Sequence, residues 1–227
     1  NASSTRPVYR ADQTTNSVVE LYSARTNGGI VAKLNAPLPL GGAVKQFEFS
    51  PDGTLLVYLA DQVADEKYDL YAVAAGGGPA TLLSSGAGGV SVQSFMIGPD
   101  GSQVFYVDNS GPFSSLRLNS RPLALGAGPG QTFTGPPVAG LTPPNIQISA
   151  DGSRLVYLAD NGGDGVFELA AISMGATPAV VPQINAPLAP GGNIRAFKIS
   201  PAGTEVVYAA DQNTAGVVEL FKVPIAG

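Results

Sequence analysis

The sequence predicts an all-β protein made of about five copies of one four-stranded antiparallel unit, with both end units incomplete. Three observations predict it. Tyrosines recur at Tyr9, Tyr58, Tyr106, Tyr157 and Tyr208, roughly 50 residues apart, a period of repeat architectures. A turn of one type precedes the last four, as Pro51-Asp52-Gly53, Pro99-Asp100-Gly101, Ala150-Asp151-Gly152 and Pro201-Ala202-Gly203. An acidic-Leu-aromatic triplet follows the tyrosine, as Glu20-Leu21-Tyr22, Asp69-Leu70-Tyr71 and Glu219-Leu220-Phe221. It weakens to Glu168-Leu169-Ala170 and is lost at Arg117-Leu118-Asn119.

The clearest unit runs from Phe47 to Val73. Phe47 and Phe49 alternate with Glu48 and Ser50, the period of two of a half-buried strand. Pro51-Asp52-Gly53 turns the chain: proline presets φ, aspartate bonds nearby backbone, and glycine accepts positive φ. Leu55 to Ala60 is apolar on both alternating sets, which suits a strand covered on both faces. Asp61 to Lys67 is polar and reads as a hairpin loop. Tyr68 to Val73 alternates again. Gly76-Gly77-Gly78 then leads to a weaker fourth strand near Thr81 to Leu83.

The units fall at about 1–43, 44–92, 93–143, 144–194 and 195–227, within one domain. The first offers Val8 to Ala11, Val18 to Ala24 and Val31 to Leu34, and lacks its innermost strand. Ala36-Pro37-Leu38 with Gly41-Gly42 links it onward, and the linker returns as Ala186-Pro187-Leu188 with Gly191-Gly192. The third unit is irregular. Its Asn109 to Ser115 loop is altered, and Gly126 to Gly140, dense in Gly and Pro, reads as an extended loop. That stretch is either a drifted repeat or a ligand-facing region. The fifth unit stops where a fourth strand should begin.

The Ser-Pro-Asp-Gly turn, the apolar strand ending in an acidic residue, the acidic-Leu-Tyr strand and the Gly-Gly turn together resemble the TolB-like, WD-type β-propeller repeat. The resemblance covers nearly the whole chain. It implies four-stranded antiparallel blades set radially around a channel. It implies little about activity, since such propellers serve mainly as binding platforms.

Composition bounds the function. There are 12 basic and 17 acidic residues, a net charge of −5, with no basic cluster. Nucleic acid is therefore not an expected partner. No apolar run approaches the roughly 20 residues that span a bilayer as a helix. With no cysteine, disulfides and thiolate chemistry are excluded. With no histidine, the usual serine triad lacks its base. The recurrent acids Asp12, Asp61, Asp160 and Asp211 are spaced one per repeat, so they are expected to bond turn backbone rather than converge as a glycosidase pair. Asp160-Asn161-Gly162-Gly163-Asp164 offers oxygen ligands for calcium but lacks the EF-hand spacing and closing glutamate, and a plain hairpin loop accounts for it. The tyrosines, set in apolar strands, read as packing between blades.

From these residues the expectation is no catalysis, no cofactor and no metal. An unfinished blade exposes unpaired N–H and C=O groups, a template for another strand. Three arrangements stay open: five blades with three-stranded ends, four blades with the strand at Phe197 completing the first, or neighbouring molecules completing one another. Five units are favoured. The candidate association edge is Val217, Val218, Glu219, Leu220, Phe221, Lys222 and Val223. The expected protein is thus a structural one that associates with itself, as a filament or surface-layer subunit. A monomeric module gripping a peptide or glycan, excerpted from a longer secreted protein, is the alternative. The chain starts at Asn1, which suggests a cleaved leader or an excerpt. The Gly, Thr, Ser and Asn content suggests an extracellular or cell-surface location.

Overall fold

A computed structural model describes residues 6–29, 31–84, 86, 88–110, 117–126, 130–133, 146–160, 164–174 and 179–226. Among them there is no helix, and every regular element is a strand. Five antiparallel sheets follow one another along the chain. The first holds β1 (Val8–Ala11), β2 (Glu20–Ser23) and β3 (Ala32–Lys33). The second holds β4 (Val44–Phe49), β5 (Leu55–Ala64), β6 (Lys67–Ala74) and β7 (Thr81–Leu82). The third holds β8 (Val92–Ile97), β9 (Gln103–Asp108), β10 (Arg117–Pro122) and β11 (Gln131–Thr132). The fourth holds β12 (Ile146–Ile148), β13 (Arg154–Ala159), β14 (Glu168–Ser173) and β15 (Ala179–Val181). The fifth holds β16 (Ile194–Ile199), β17 (Glu205–Ala210) and β18 (Glu219–Pro224). In each sheet the strands lie in chain order. Among the described residues the first sheet has no inner strand and the fifth no outer one.

The turn chemistry is local. In β4–β5 the Ser50 hydroxyl donates to Asp52 and accepts the Leu55 N–H at 2.9 Å, while Asp52 accepts the Thr54 N–H at 3.0 Å. Ser149 and Asp151 repeat the arrangement before β13. The turn ends on a glycine at φ 72° in Gly53 and 69° in Gly203, a left-handed conformation that glycine adopts without a Cβ clash. Tyr58 stands opposite Tyr71 in the ladder and stacks on it at 5.4 Å between ring centroids. Tyr9–Tyr22 and Tyr208–Phe221 repeat the stack at 5.8 and 5.6 Å.

Two expectations about loops are corrected. The stretch from Asp61 is not all loop: β5 continues to Ala64, which pairs with Lys67 after a register shift. A bulge absorbs the polar residues, and Glu66, at φ 61°, closes the turn. Nor is Gly126 to Gly140 all loop, since β11 pairs with β10 there. Phe133 is buried and its N–H donates to Leu118 O at 3.0 Å. The remainder of that stretch, 127–129 and 134–140, lies outside the described residues, as does most of the Asn109 to Ser115 loop.

The chain forms two compact units, one holding the first and second sheets, the other the fourth and fifth. The core of the first unit lies between its sheets: Leu21 and Leu34 pack with Val44, Leu56, Tyr58 and Tyr71. Backbone bonds tie the same joint, Val44 N–H to Val19 O at 2.7 Å, and Arg10 donates to the carbonyls of Val44 and Lys45. In the second unit Leu169 and Ile184 pack with Ile194, Phe197, Val206 and Tyr208. Gln147 spans that joint with both ends of its amide, donating to Phe197 O at 2.8 Å and accepting the Ile199 N–H at 3.1 Å. Tyr58 and Tyr208 therefore pack between sheets, and burial raises the Tyr58 hydroxyl's pKa and takes that of Tyr157 to about 12.

Candidate functional site

Three of the recurrent aspartates, Asp61, Asp160 and Asp211, hold backbone. Asp61 accepts the N–H of Ala43 at 2.6 Å and of Glu66 at 3.3 Å. Asp211 accepts the N–H of Asn193 at 2.6 Å and of Gly216 at 3.0 Å, and Arg195 reaches it at 3.0 Å. Each thus clamps its own hairpin loop to the linker that enters the sheet. The N–H groups of Gly216 and Asn193, with Arg195, hold the Asp211 carboxyl down at about 2. Asp160 accepts the N–H of Asp164 and Gly165, each at 3.1 Å. The middle of the calcium candidate, 161–163, lies outside the described residues.

Of the candidate edge, Glu219 to Val223 lie in β18, while Val217 and Val218 precede it. The ladder fixes which way these side chains point. Tyr208 opposes Phe221 and Phe197, and Val206 opposes Val223; these face the core shared with the fourth sheet. Ala209 opposes Leu220 and Ala196, and Val207 opposes Lys222 and Lys198; these share the other face.

That other face is uncovered. Leu220 is 78% exposed, whereas Leu21, Leu70 and Leu169, at the same repeat position, are 0% exposed. Val207 is 41% exposed against 0% for Val57 and Val156. In the first unit the second sheet covers Leu21, and in the second the fifth sheet covers Leu169. Among the described residues nothing covers Leu220. Two lysines mark the same face: Lys222 stands where Ala72 and Ala171 are buried, and Lys198 stands at the position of Gln147.

The edge is open as well. Leu21, Leu70 and Leu169 each accept an N–H from the outer strand, from Leu34, Leu83 and Ile184 at 2.8, 2.7 and 2.8 Å. No described residue donates to Leu220 in this way. Edge and face deficits therefore meet at one residue. The sequence reading named the edge through the missing strand but missed the face formed by Ala196, Lys198, Val207, Ala209 and Lys222. Its signal was partial: Lys222 replaces Ser23, Ala72 and Ala171, but Lys198 replaces Gln147 and the already charged Glu48.

No family model matches the sequence, and no curated protein matches it. Solved structures do match. A eukaryotic initiation factor aligns over 99% of this chain and 50% of its own, at 16% identity and a TM-score of 0.58. An oligogalacturonate lyase in complex with manganese aligns over 91% of this chain and 54% of its own, at 13% identity and a TM-score of 0.55. A putative TolB from Agrobacterium tumefaciens covers 89% of this chain and 69% of its own, at 18% identity and a TM-score of 0.49. This chain thus spans about half the length of the first two. The sheets are blades of a β-propeller, and at these identities the likeness concerns the fold alone.

The expectation of no catalysis is corrected by the same comparisons. Besides the lyase, prolyl endopeptidases match, with 98% of this chain aligned to 32% of theirs at a TM-score of 0.52. The fold thus occurs in enzymes. The lack of histidine bars only the histidine-based serine triad.

Proposed function

We propose that this propeller chain associates with itself, as a filament or surface-layer subunit, by taking a strand from another copy along β18. The observation that carries the reading is Leu220, which among the described residues has neither the outer strand nor the covering sheet of its equivalents. An added strand meets the first lack through main-chain bonds, the mode by which extended segments join open sheet edges. Charge supports another copy as the partner. The chain carries a net charge of −5, while the open face of β17–β18 presents Lys198, beside Lys222 paired with Glu205 at 2.9 Å. Attraction between an acidic surface and this face speeds and orients encounter.

A strand given by one copy to the next is a heterologous contact, which propagates into a filament unless its rotation closes a ring. An extracellular location belongs to the same proposal and rests on composition. Sedimentation velocity over a wide concentration range tests the association. Species larger than one chain, weakened by salt, are expected; a single monomeric boundary at the highest concentration contradicts the reading.

A further inference from the structure

The first repeat carries a local surplus of positive charge. Residues 1–43 hold four basic residues, Arg6, Arg10, Arg25 and Lys33, against two acidic ones, Asp12 and Glu20, within a chain of net charge −5. Two of the four are committed inside the fold. Arg10 donates to the carbonyls of Val44 and Lys45, and Lys33 donates to Glu20 at 2.8 Å. Glu20 also accepts the Tyr22 hydroxyl at 2.6 Å, so the acid of β2 is engaged at its own end of the strand.

The ladder brings the other two together. Val8 opposes Ser23 in β1–β2, and one step further Ala24 N–H donates to Pro7 O at 3.1 Å. The next step sets Arg6 opposite Arg25. In three other sheets the same position pairs Leu55 with Ala74, Arg154 with Ser173 and Glu205 with Pro224, none of them two like charges. Like charges directly opposite destabilise a sheet, so the arginine pair costs the fold unless a counter-charge meets it. Two adjoining hollows, of about 360 and 430 Å³, are both lined by Arg6, Arg25 and Asn27, and no described residue lining them is acidic. Gly28 and Gly29, at φ 80° and 124°, turn the chain beside the larger hollow. A Cβ on Gly29 would lie 4.0 Å from Arg25 Cδ. The exposed arginine stem thus runs along a glycine that leaves the groove open.

We propose that the groove between Arg6 and Arg25 binds the phosphate group of a small organic phosphate monoester. The site goes beyond the self-association reading and shares no residue with β18. Each guanidinium presents a planar fork of N–H donors that matches a phosphate edge. A phosphate monoester carries about −1.5 to −2 charges at pH 7, enough to balance two guanidiniums, whereas a sulfate ester or a carboxylate carries a single charge. Hollows of this size take more than a bare ion. The organic part of the ester lies over Asn27 and the glycine turn, where the Asn27 amide offers both a donor and an acceptor.

Titration calorimetry with phenyl phosphate, phenyl sulfate and benzoate tests the site, since the three share a ring and differ in the anion. Phenyl phosphate should bind this chain with a dissociation constant at or below about 1 mM, weakening as salt rises. The sulfate and the carboxylate should bind at least about fivefold more weakly. Arg25→Gln should weaken phenyl phosphate binding at least about tenfold, the loss of one charge-assisted bond. Arg25→Lys should fall between, keeping the charge without the fork. Without ligand, Arg25→Gln should melt at the parent's temperature or above it, because the like-charge pair is gone; an arginine kept for stability would lower it. Absence of binding at about 10 mM phenyl phosphate, equal binding by Arg25→Gln, or equal binding of the three anions overturns the proposal. So does a lower melting temperature of the ligand-free Arg25→Gln chain.

Discussion

Leu169 and Leu220 occupy one place in successive sheets, opposite Leu158 and Ala209, yet Leu169 is 0% exposed and Leu220 is 78% exposed. Sequence context does not separate them, since each follows a glutamate near the start of its strand. The difference is what lies beyond. Leu169 meets Phe197 and Tyr208 of the next sheet, while Leu220 has no next sheet among the described residues. The two leucines should accordingly respond in opposite ways to mutation. Leu169→Ala leaves a cavity and should cost about 2–5 kcal/mol in urea unfolding. Leu220→Asp should change stability by less than about 0.5 kcal/mol and reduce self-association in sedimentation.

Gln147 ties the fourth sheet to the fifth through both ends of its amide. Gln147→Ala leaves the Ile199 N–H and the Phe197 carbonyl to find other partners. The expected cost is about 1–3 kcal/mol. Chemical denaturation measures it, and the loss should be confined to the joint, with faster amide exchange in β16 and little change in β5 and β6.

The linker glycine Gly192 is built into the Asp211 clamp. A Cβ there would lie 2.4 Å from Asp211 O and 2.9 Å from Ala189 O, both backbone atoms. Gly192→Ala must therefore move the linker, and overpacking of this kind costs about 1–3 kcal/mol. Gly216→Ala, with nothing within 4 Å of its Cβ but φ at 80°, should be the milder of the two, its cost coming from backbone strain alone. Thermal unfolding of both variants ranks them.

Acid should weaken the protein through Asp211. Its carboxyl is held at about 2, below the ordinary 3.8, by the N–H groups of Gly216 and Asn193. A depressed folded value means that the ionised form stabilises the fold. That contribution is complete above pH 3.8, and is lost as pH falls toward about 2. Asp151, also at about 2 through the Ser149 hydroxyl and the Ser153 N–H, adds in the same direction. Asp211→Asn should be less stable than the parent at neutral pH and should flatten the fall in stability across that window, as followed by circular dichroism.

Much of this architecture was legible because it is local. The Pro-Asp-Gly turns, the alternation at Phe47 and Phe49, and the Tyr58–Tyr71 pair follow from spacing along one chain segment. The hairpin end at Asp61 to Ala64 was not legible, because polar residues there hide a ladder that continues across a bulge to Lys67. Strand β11 was obscured by the glycines and prolines around its two residues. The association edge was legible as a missing strand. The open face was not, because burial of Leu21 or Leu169 depends on a neighbouring sheet; only Lys222 records the difference in the sequence.

Amide hydrogen exchange of β18 as a function of protein concentration tests the central claim most directly. The Leu220 N–H, fast in dilute solution, should become protected as concentration rises, while Leu70, already bonded to Ser84 at 3.2 Å, stays constant. Exchange at Leu220 that is equally fast at every concentration would contradict it.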